Sequence, residues 1–149
     1  MTSTPTLIGT PVSPFVRKTM AVLALKRVDY LIDPIVPFLG NDRFGELSPL
    51  RRIPVWLDDQ VTLADSTVIC EYLEETRPNP AVLPASPAER AAARWLEAFA
   101  DTRLADVLIW RLFNKAVIEP GVWGAERDKA AIQRAIAHDL PPVLDYLES

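Results

Sequence analysis

The sequence predicts a small α/β unit followed by a helical second half. The first half alternates short apolar runs with longer runs of helical period, in the order strand, helix, strand, then strand, strand, helix. The segment 77–87 places four prolines in eleven residues, too many for a helix to pass through. After this segment, apolar residues recur at steps of three and four, which indicates helices.

The first three elements predict a βαβ unit. Residues 6–10 are typical of a short buried strand, and residues 15–26 of a helix. Pro14 fits the first turn of that helix, because the N–H that proline lacks would be unpaired there. Residues 29–33 predict a second strand, parallel to the first if the helix is a right-handed crossover.

A hairpin and a closing helix complete the α/β unit. Residues 54–57 and 61–63 predict two antiparallel strands joined by a tight turn. Residues 40–47 are polar, and form either an irregular segment or a short helix. Residues 67–76 predict the closing helix. We expect Ser66 to be its N-cap, because a serine side chain can accept an unpaired backbone N–H.

We expect a first domain at 1–77, a proline-rich linker at 78–87 and a partial helical domain at 88–149. Ser86 and Glu89 have the spacing of a capping box at the start of the helical part.

The long helix is expected to run to about Ala116 and to end at 119–121, where Pro120 and Gly121 occur. A second helical stretch begins near Ala125, and Pro141-Pro142 should kink or split it. The expected apolar stripe of the long helix comprises Trp95, Leu96, Phe99, Leu108, Ile109, Leu112 and Phe113.

Composition excludes several classes of function. A net charge of −4 argues against a nucleic-acid partner, which usually requires a basic face. The single cysteine excludes a Cys-x-x-Cys pair, and the single histidine excludes a histidine-rich metal site. We find no secretory signal at the start and no apolar run of the ~20 residues that span a membrane. We therefore expect a cytoplasmic protein without a metal, and no membrane partner.

Three short motifs occupy junctions between these elements. Ser13-Pro14-Phe15 separates the first strand from the first helix, Arg52-Ile53-Pro54 begins the hairpin, and Asp65-Ser66 begins the third helix. In this order, with a helical second half, the chain resembles the cytosolic glutathione transferase family, especially its tau- and omega-like branches. The resemblance implies a thioredoxin-like α/β N-terminal domain with a mixed sheet, followed by an all-α C-terminal domain that is truncated here.

The resemblance implies an enzyme that uses glutathione as a co-substrate, without a tightly bound cofactor, as a cytoplasmic homodimer. Ser13 would stabilise the glutathione thiolate. A free thiol has a pKa of about 8.5, and lowering it needs a hydrogen-bond donor and positive potential near the sulfur. Alternatively, Ser13 only caps its helix, and Thr10 is the nearest rival hydroxyl. A serine in place of the omega-type cysteine favours conjugation to an electrophile, or peroxide reduction, over deglutathionylation.

The resemblance also implies how the rest of glutathione is bound. Ile53, before a cis Pro54, would pair its backbone with the cysteinyl part. Asp65 would face the γ-glutamyl ammonium, and Ser66 its carboxylate. Arg52 would face the glycyl carboxylate, or is simply a solvated surface residue. The complete set of expected glutathione-binding residues is Phe15, Arg52, Ile53, Pro54, Asp65 and Ser66.

Val12, Trp110 and Phe113 would line the site for a small hydrophobic electrophile, although aromatic residues on a long helix more often belong to a core. The helical half is short for the family, which leaves an alternative open. The chain could instead be a non-catalytic protein of the same fold that acts as an interaction or regulatory module.

Overall fold

The computed structural model describes residues 3–37 and 42–149. The chain divides into two compact units, Met1–Pro84 and Ala85–Ser149.

The first unit is a mixed four-stranded sheet with helices. Its elements in chain order are β1 (Thr6–Ile8), α1 (Pro14–Leu25), β2 (Leu31–Asp33), α2 (Asp42–Leu47), β3 (Val55–Leu57), β4 (Thr62–Ala64) and α3 (Ser66–Thr76). The strand order is β2-β1-β3-β4, with β1 and β2 parallel and the other two pairs antiparallel. The predicted element order is therefore confirmed, and residues 42–47 of the polar segment form a helix. Residues 40 and 41 of that segment lie outside the described residues.

β1, β2 and β3 are shorter than predicted, and β4 (Thr62–Ala64) lies one residue later than predicted. β1 ends at Ile8, because Gly9 has a φ of +142°, outside the range of a β-strand. The N–H of Gly9 still donates to the carbonyl oxygen of Asp33 on β2, 2.7 Å away. β2 begins at Leu31 and not at Asp29.

The core of the first unit lies between the sheet and helices α1 and α3. Trp56 of β3 is fully buried at its centre. The other buried members of this cluster are Leu7, Val16, Val22, Leu23, Ile69 and Leu73. These side chains come from β1, α1 and α3, so the hydrophobic effect fixes the two helices on the sheet.

A buried ion pair anchors the proline-rich segment. Lys26, whose side chain is fully buried, pairs with Glu74 and donates to the carbonyl oxygens of Arg77 and Pro80 at 2.6 and 3.0 Å. The Glu74 carboxylate in turn accepts the backbone N–H groups of Val82 and Leu83. The segment 77–83 is therefore fixed to α1 and α3.

The second unit is helical, as predicted. Its α-helices are α4 (Pro87–Phe99), α5 (Glu119–Trp123), α6 (Lys129–Arg134) and α7 (Pro141–Glu148), and its π-helical segments are Ala100–Leu104, Asp106–Ile118 and Ala135–Asp139. Arg111 donates to Asp139 at 3.1 Å, and the rings of Phe99 and Tyr146 lie 4.4 Å apart, so the later helices pack on the long one.

Several predicted boundaries in this unit are wrong. The helical backbone continues past 119–121 to Trp123, because Ile118 and Glu119 keep right-handed helical dihedral angles before Pro120. It ends at the left-handed Gly124. Ser86 is the N-cap of α4, but its side chain makes no capping hydrogen bond, so the capping box is absent. The next helix begins at Lys129, capped by Asp128, and not near Ala125.

The predicted break at Pro141-Pro142 is confirmed, because α7 begins at Pro141 after a bend at Leu140. The predicted apolar stripe is not a buried core. None of the residues of α4, all of them described, is buried, and Trp95 is 58% exposed. The buried side chains of this unit are the smaller Ala105, Val107, Ala135 and Val143.

Within residues 3–37 and 42–149, no helix has the length and apolar character needed to cross a membrane. The same ranges contain no group of three or more His, Cys, Asp or Glu side chains suited to a metal ion.

Candidate functional site

Strand register brings the three sequence motifs to one edge of the sheet. Ile8 of β1 pairs with Val55 of β3, and Val55 pairs with Ala64 of β4. The next positions along these strands are Gly9, Pro54 and Asp65. Because neighbouring strands lie about 4.8 Å apart, the ends of β1, β3 and β4 form one continuous edge. We call this edge, with the first turns of α1 and α3, the motif edge.

Ser13 is the N-cap of α1. Its Oγ accepts the backbone N–H of Val16 at 3.5 Å, the outer limit of a hydrogen bond. In that contact the hydroxyl acts only as an acceptor, so its proton can still be donated to another group. The cap is therefore weak, and it leaves the predicted donor role of Ser13 chemically open.

The loop before Ser13 is fixed by Arg17. The Arg17 guanidinium donates to the carbonyl oxygens of Pro11 and Val12 at 3.0 and 2.8 Å. Thr10, the rival hydroxyl, accepts the N–H of Val12 at 3.4 Å. Phe15 lies in the first turn of α1 and is half-buried.

Ile53 and Pro54 are joined by a cis peptide bond, as predicted. Pro54 is fully buried, whereas Ile53 is only half-buried. Among the described residues, neither the N–H nor the C=O of Ile53 has a hydrogen-bond partner. Buried or half-buried backbone groups are normally paired, so these two groups are available to a ligand that runs alongside them.

Gly9 is a residue of the motif edge that sequence reasoning missed. A Cβ added to Gly9 would lie 2.7 Å from Cγ2 of Val16 and 2.9 Å from Cβ of Ile53. Only glycine therefore allows α1 and the Ile53 segment to approach the end of β1. The available signal was a glycine directly after a strand, which often marks close backbone approach.

The cap of α3 corrects a prediction. Asp65, and not Ser66, is the N-cap: its Oδ1 accepts the N–H groups of Thr67 and Val68 at 2.9 and 3.3 Å. Ser66 is the first residue of the helix and is 3% exposed. Asp65 has a φ of +87°, an unfavourable conformation for a residue other than glycine. Both capping hydrogen bonds go to Oδ1, so the second carboxylate oxygen of Asp65 is not used in the cap.

Arg52 is exposed, which fits both the glycyl-carboxylate and the surface interpretation. Lys18 of α1 donates to the hydroxyl of Thr67 at 3.1 Å, so a cation lies beside the first turn of α3. Val12 is exposed in the first unit, and Trp110 and Phe113 are exposed in the second. Their common role at a co-substrate site stays a prediction.

Two carboxylates with lowered pKa support the first unit away from the motif edge. Burial alone would raise the pKa of Asp58, but hydrogen bonds from the Gln60 and Val61 backbone and from Trp56 and Tyr72 lower it. Burial also opposes ionisation of Glu74, and the pKa of Glu74 is lowered by Lys26 and by backbone N–H groups.

Comparison with known families decides the classification. The family model described as the glutathione S-transferase N-terminal domain matches residues 7–81, which include the whole motif edge. The chain belongs to the glutathione S-transferase family. The predicted recognition is therefore confirmed at family level, while the tau- or omega-like branch stays a prediction.

Individual similar proteins support the same family. Maleylacetoacetate isomerase of Rattus norvegicus is 43% identical over 79 residues, covering 50% of this chain and 37% of the relative. A glutathione S-transferase structure from Rhodospirillum rubrum has a TM-score of 0.86 and 29% identity, covering 97% of this chain and 64% of that one. The predicted thioredoxin-like unit with a helical second half is confirmed.

A structure from Methylobacterium radiotolerans, a glutathione S-transferase in complex with glutathione sulfonate, has a TM-score of 0.76 and 25% identity. It covers 97% of this chain, which covers 66% of it. The present chain spans only about a third of the length of the isomerase relatives it matches, between 34% and 37%.

Proposed function

We propose that this chain binds glutathione along the motif edge and stabilises its thiolate with Ser13. The observation that carries the proposal is that the N–H and C=O of Ile53 have no hydrogen-bond partner in the part of the chain that the structure describes. An extended tripeptide laid beside Ile53 satisfies both groups through its cysteinyl residue, as an added strand does. The same edge presents Ser13 on one side of Ile53 and Asp65 on the other.

The γ-glutamyl end of glutathione carries both an ammonium and a carboxylate. The carboxylate would bind the hydroxyl and the backbone N–H of Ser66 at the start of α3, where the helix dipole favours an anion. The ammonium would bind the Asp65 oxygen that is not used in the cap. The glycyl carboxylate would face Arg52, and Phe15 and Pro54 would contact the peptide.

The Ser13 hydroxyl would donate its proton as a hydrogen bond to the cysteinyl sulfur. Its position at the positive end of the α1 dipole would add to this stabilisation of the anion. The sulfur would then form a bond to an electrophilic carbon while the carbon's leaving group departs as an anion. In the alternative reaction it would attack a peroxide oxygen and break the O–O bond, which oxidises glutathione to its sulfenic acid and releases an alkoxide that takes a proton from water. The electrophile would be a small apolar molecule beside Val12, in a homodimeric enzyme.

The relatives support glutathione more strongly than any particular electrophile. The Methylobacterium structure contains glutathione sulfonate, which is a direct analogue of the proposed ligand. The isomerase relatives match only about half of this chain. Because these relatives are isomerases, isomerisation of maleylacetoacetate is one candidate reaction, and conjugation of glutathione to an electrophile is another.

Asp65 offers a test that separates charge from capping. Asp65→Asn keeps an oxygen for the α3 cap but removes the negative charge beside the ammonium. We expect it to raise the Kd for glutathione about tenfold, the cost of about 1.4 kcal/mol for one charge-assisted contact. The measurement is calorimetric titration of glutathione into the wild-type and variant chains.

The matched control is Asp128→Asn, which changes the N-cap of α6 in the same way. It should leave the affinity unchanged. Equal affinity of the wild-type and Asp65→Asn chains would exclude the ammonium contact, and no binding by a folded wild-type chain would exclude the proposed function.

A second candidate function rests on the exposed aromatic side chains of the second unit. Trp95, Trp110 and Trp123 are each more than half exposed, and large exposed apolar side chains often mark an interaction surface. A non-catalytic interaction module of the same fold is the function we would infer if glutathione does not bind.

A further inference from the structure

Ser48 is a fully buried hydroxyl between α2 and β3 that bonds both backbone groups of one residue. Its Oγ donates to the carbonyl oxygen of Arg52 at 2.8 Å and accepts the N–H of Arg52 at 3.0 Å. The side chain is 0% exposed. The Ser48 hydroxyl thus both donates to and accepts from the backbone of one residue, Arg52, four positions ahead.

The intervening chain turns around this hydroxyl. The N–H of Arg51 bonds the carbonyl oxygen of Ser48 at 2.7 Å, and Arg51 has a φ of +49°, in the left-handed region. The N–H of Ser48 bonds the carbonyl oxygen of Phe44 at 2.9 Å, which fixes the loop on the end of α2. Residues 48–52 therefore form a closed turn that delivers the chain to Ile53.

The peptide plane links this turn to the motif edge. The carbonyl of Arg52 and the N–H of Ile53 belong to the same peptide unit, which is planar. In a trans unit the two groups point in opposite directions, and within residues 3–37 and 42–149 the cis bonds are those before Pro54 and Pro80, so the bond between Arg52 and Ile53 is trans. Because Ser48 holds the Arg52 carbonyl, it also sets the direction of the Ile53 N–H.

We infer that Ser48 is a positioning residue for the glutathione site, which orients the Ile53 N–H toward the cysteinyl part of the ligand. This role rests on the proposed function. Ser48 does not touch glutathione, since it is buried beneath the turn. It removes rotational freedom from the peptide that would otherwise have to be ordered when the ligand binds.

The test compares Ser48→Ala with Ser48→Thr, which keeps a hydroxyl, and with Thr19→Val. Thr19 is a matched control, because it is also fully buried and its hydroxyl also donates to a backbone carbonyl, that of Phe15, at 3.4 Å. We expect Ser48→Ala to raise the Kd for glutathione about tenfold, the effect of one lost hydrogen bond. Thr19→Val should change the Kd for glutathione less than about twofold. Ser48→Thr should keep a Kd closer to that of the wild-type chain than to that of Ser48→Ala.

A second readout separates this role from the proposed function. Amide hydrogen exchange at Arg52 should accelerate about tenfold in Ser48→Ala and not in Thr19→Val, and the Ile53 amide resonance should shift without any ligand. If the wild-type chain fails to bind glutathione but these changes occur, the proposed function fails and the orientation of Ile53 by Ser48 stands. Unchanged exchange at Arg52, or unchanged affinity in Ser48→Ala when the wild-type chain binds, would overturn the inference.

Discussion

Asp65 shows how a single residue can serve structure and ligand at once. One of its carboxylate oxygens caps α3, and its backbone adopts a φ of +87° that costs free energy. A serine at this position would cap equally well, and a glycine would remove the strain. An aspartate in this conformation therefore points to a use for its charge, which the proposed ammonium contact supplies.

Gly9 is the second residue on which the motif edge depends. Gly9→Ala should destabilise the chain by about 2 kcal/mol, because the new methyl group meets Val16 and Ile53 below 3 Å and the left-handed φ adds strain. It should also weaken glutathione binding by displacing Ile53. Thermal unfolding and calorimetric titration measure the two effects.

The control for Gly9 is Gly121→Ala in α5, where an added Cβ would have no neighbour within 4 Å. That variant should be neutral or stabilising by about 0.5 kcal/mol, because alanine favours helix. If Gly9→Ala were as stable as Gly121→Ala, the close approach at the end of β1 would not exist.

At the scale of elements, contacts between residues far apart in sequence fix a segment whose position local helix or strand propensity does not determine. Lys26 at the end of α1 and Glu74 in α3 are 48 residues apart, and together they hold the segment 77–83 in place. The prolines of that segment correctly predicted where α3 ends. Nothing in the sequence indicated that a buried ion pair fixes the segment that follows.

This ion pair makes stability depend on pH. A carboxylate whose pKa is lower in the folded chain adds stability above its unfolded pKa and loses it as pH falls through the folded pKa. Because the pKa values of Glu74 and Asp58 are both lowered, the free energy of unfolding should fall as the pH drops below about 4.5. Chemical denaturation at a series of pH values measures this.

Glu74→Gln should lower the free energy of unfolding at pH 7 by about 3 kcal/mol, because it leaves the buried Lys26 without its counter-charge. The acid dependence of the variant should be shallower than that of the wild-type chain. Glu75→Gln, a change at the exposed neighbour, is the control. Identical pH profiles for Glu74→Gln and the wild-type chain would contradict the role of the pair.

At the scale of the whole molecule, the order of elements was predictable because it follows from hydrophobic period and from proline positions. The βαβ–ββα unit, the helical second half and the break before α7 all depend on such local signals. The π-helical segments and the continuation through Pro120 were not predictable from the sequence. A π-helix differs from an α-helix in which backbone carbonyl each N–H bonds, and no residue pattern in this sequence distinguishes the two. The cap of α3 was assigned one residue too late, since Asp65 and Ser66 are both good caps.

The residues of the candidate site also divide into those that the sequence predicted and those that it did not. Ser13, Ile53, Pro54 and Asp65 were predicted as site residues because short motifs carry them, and their contacts with glutathione stay a prediction. Gly9 and Ser48 were missed, because their roles arise from distances and from the orientation of one peptide plane. The family match at residues 7–81 covers all six positions, so they can be tested as one site.

The most direct test of the account is the pKa of the glutathione thiol when bound to the chain. Thiolate absorbance, followed through a pH titration of the complex, should give a value at least one unit below the free thiol's value of about 8.5. Ser13→Ala should move the value back toward 8.5 with little loss of glutathione affinity, whereas Ser13→Thr, which keeps the hydroxyl and the α1 cap, should not. A bound thiol that ionises like free glutathione in the wild-type chain would contradict the central claim.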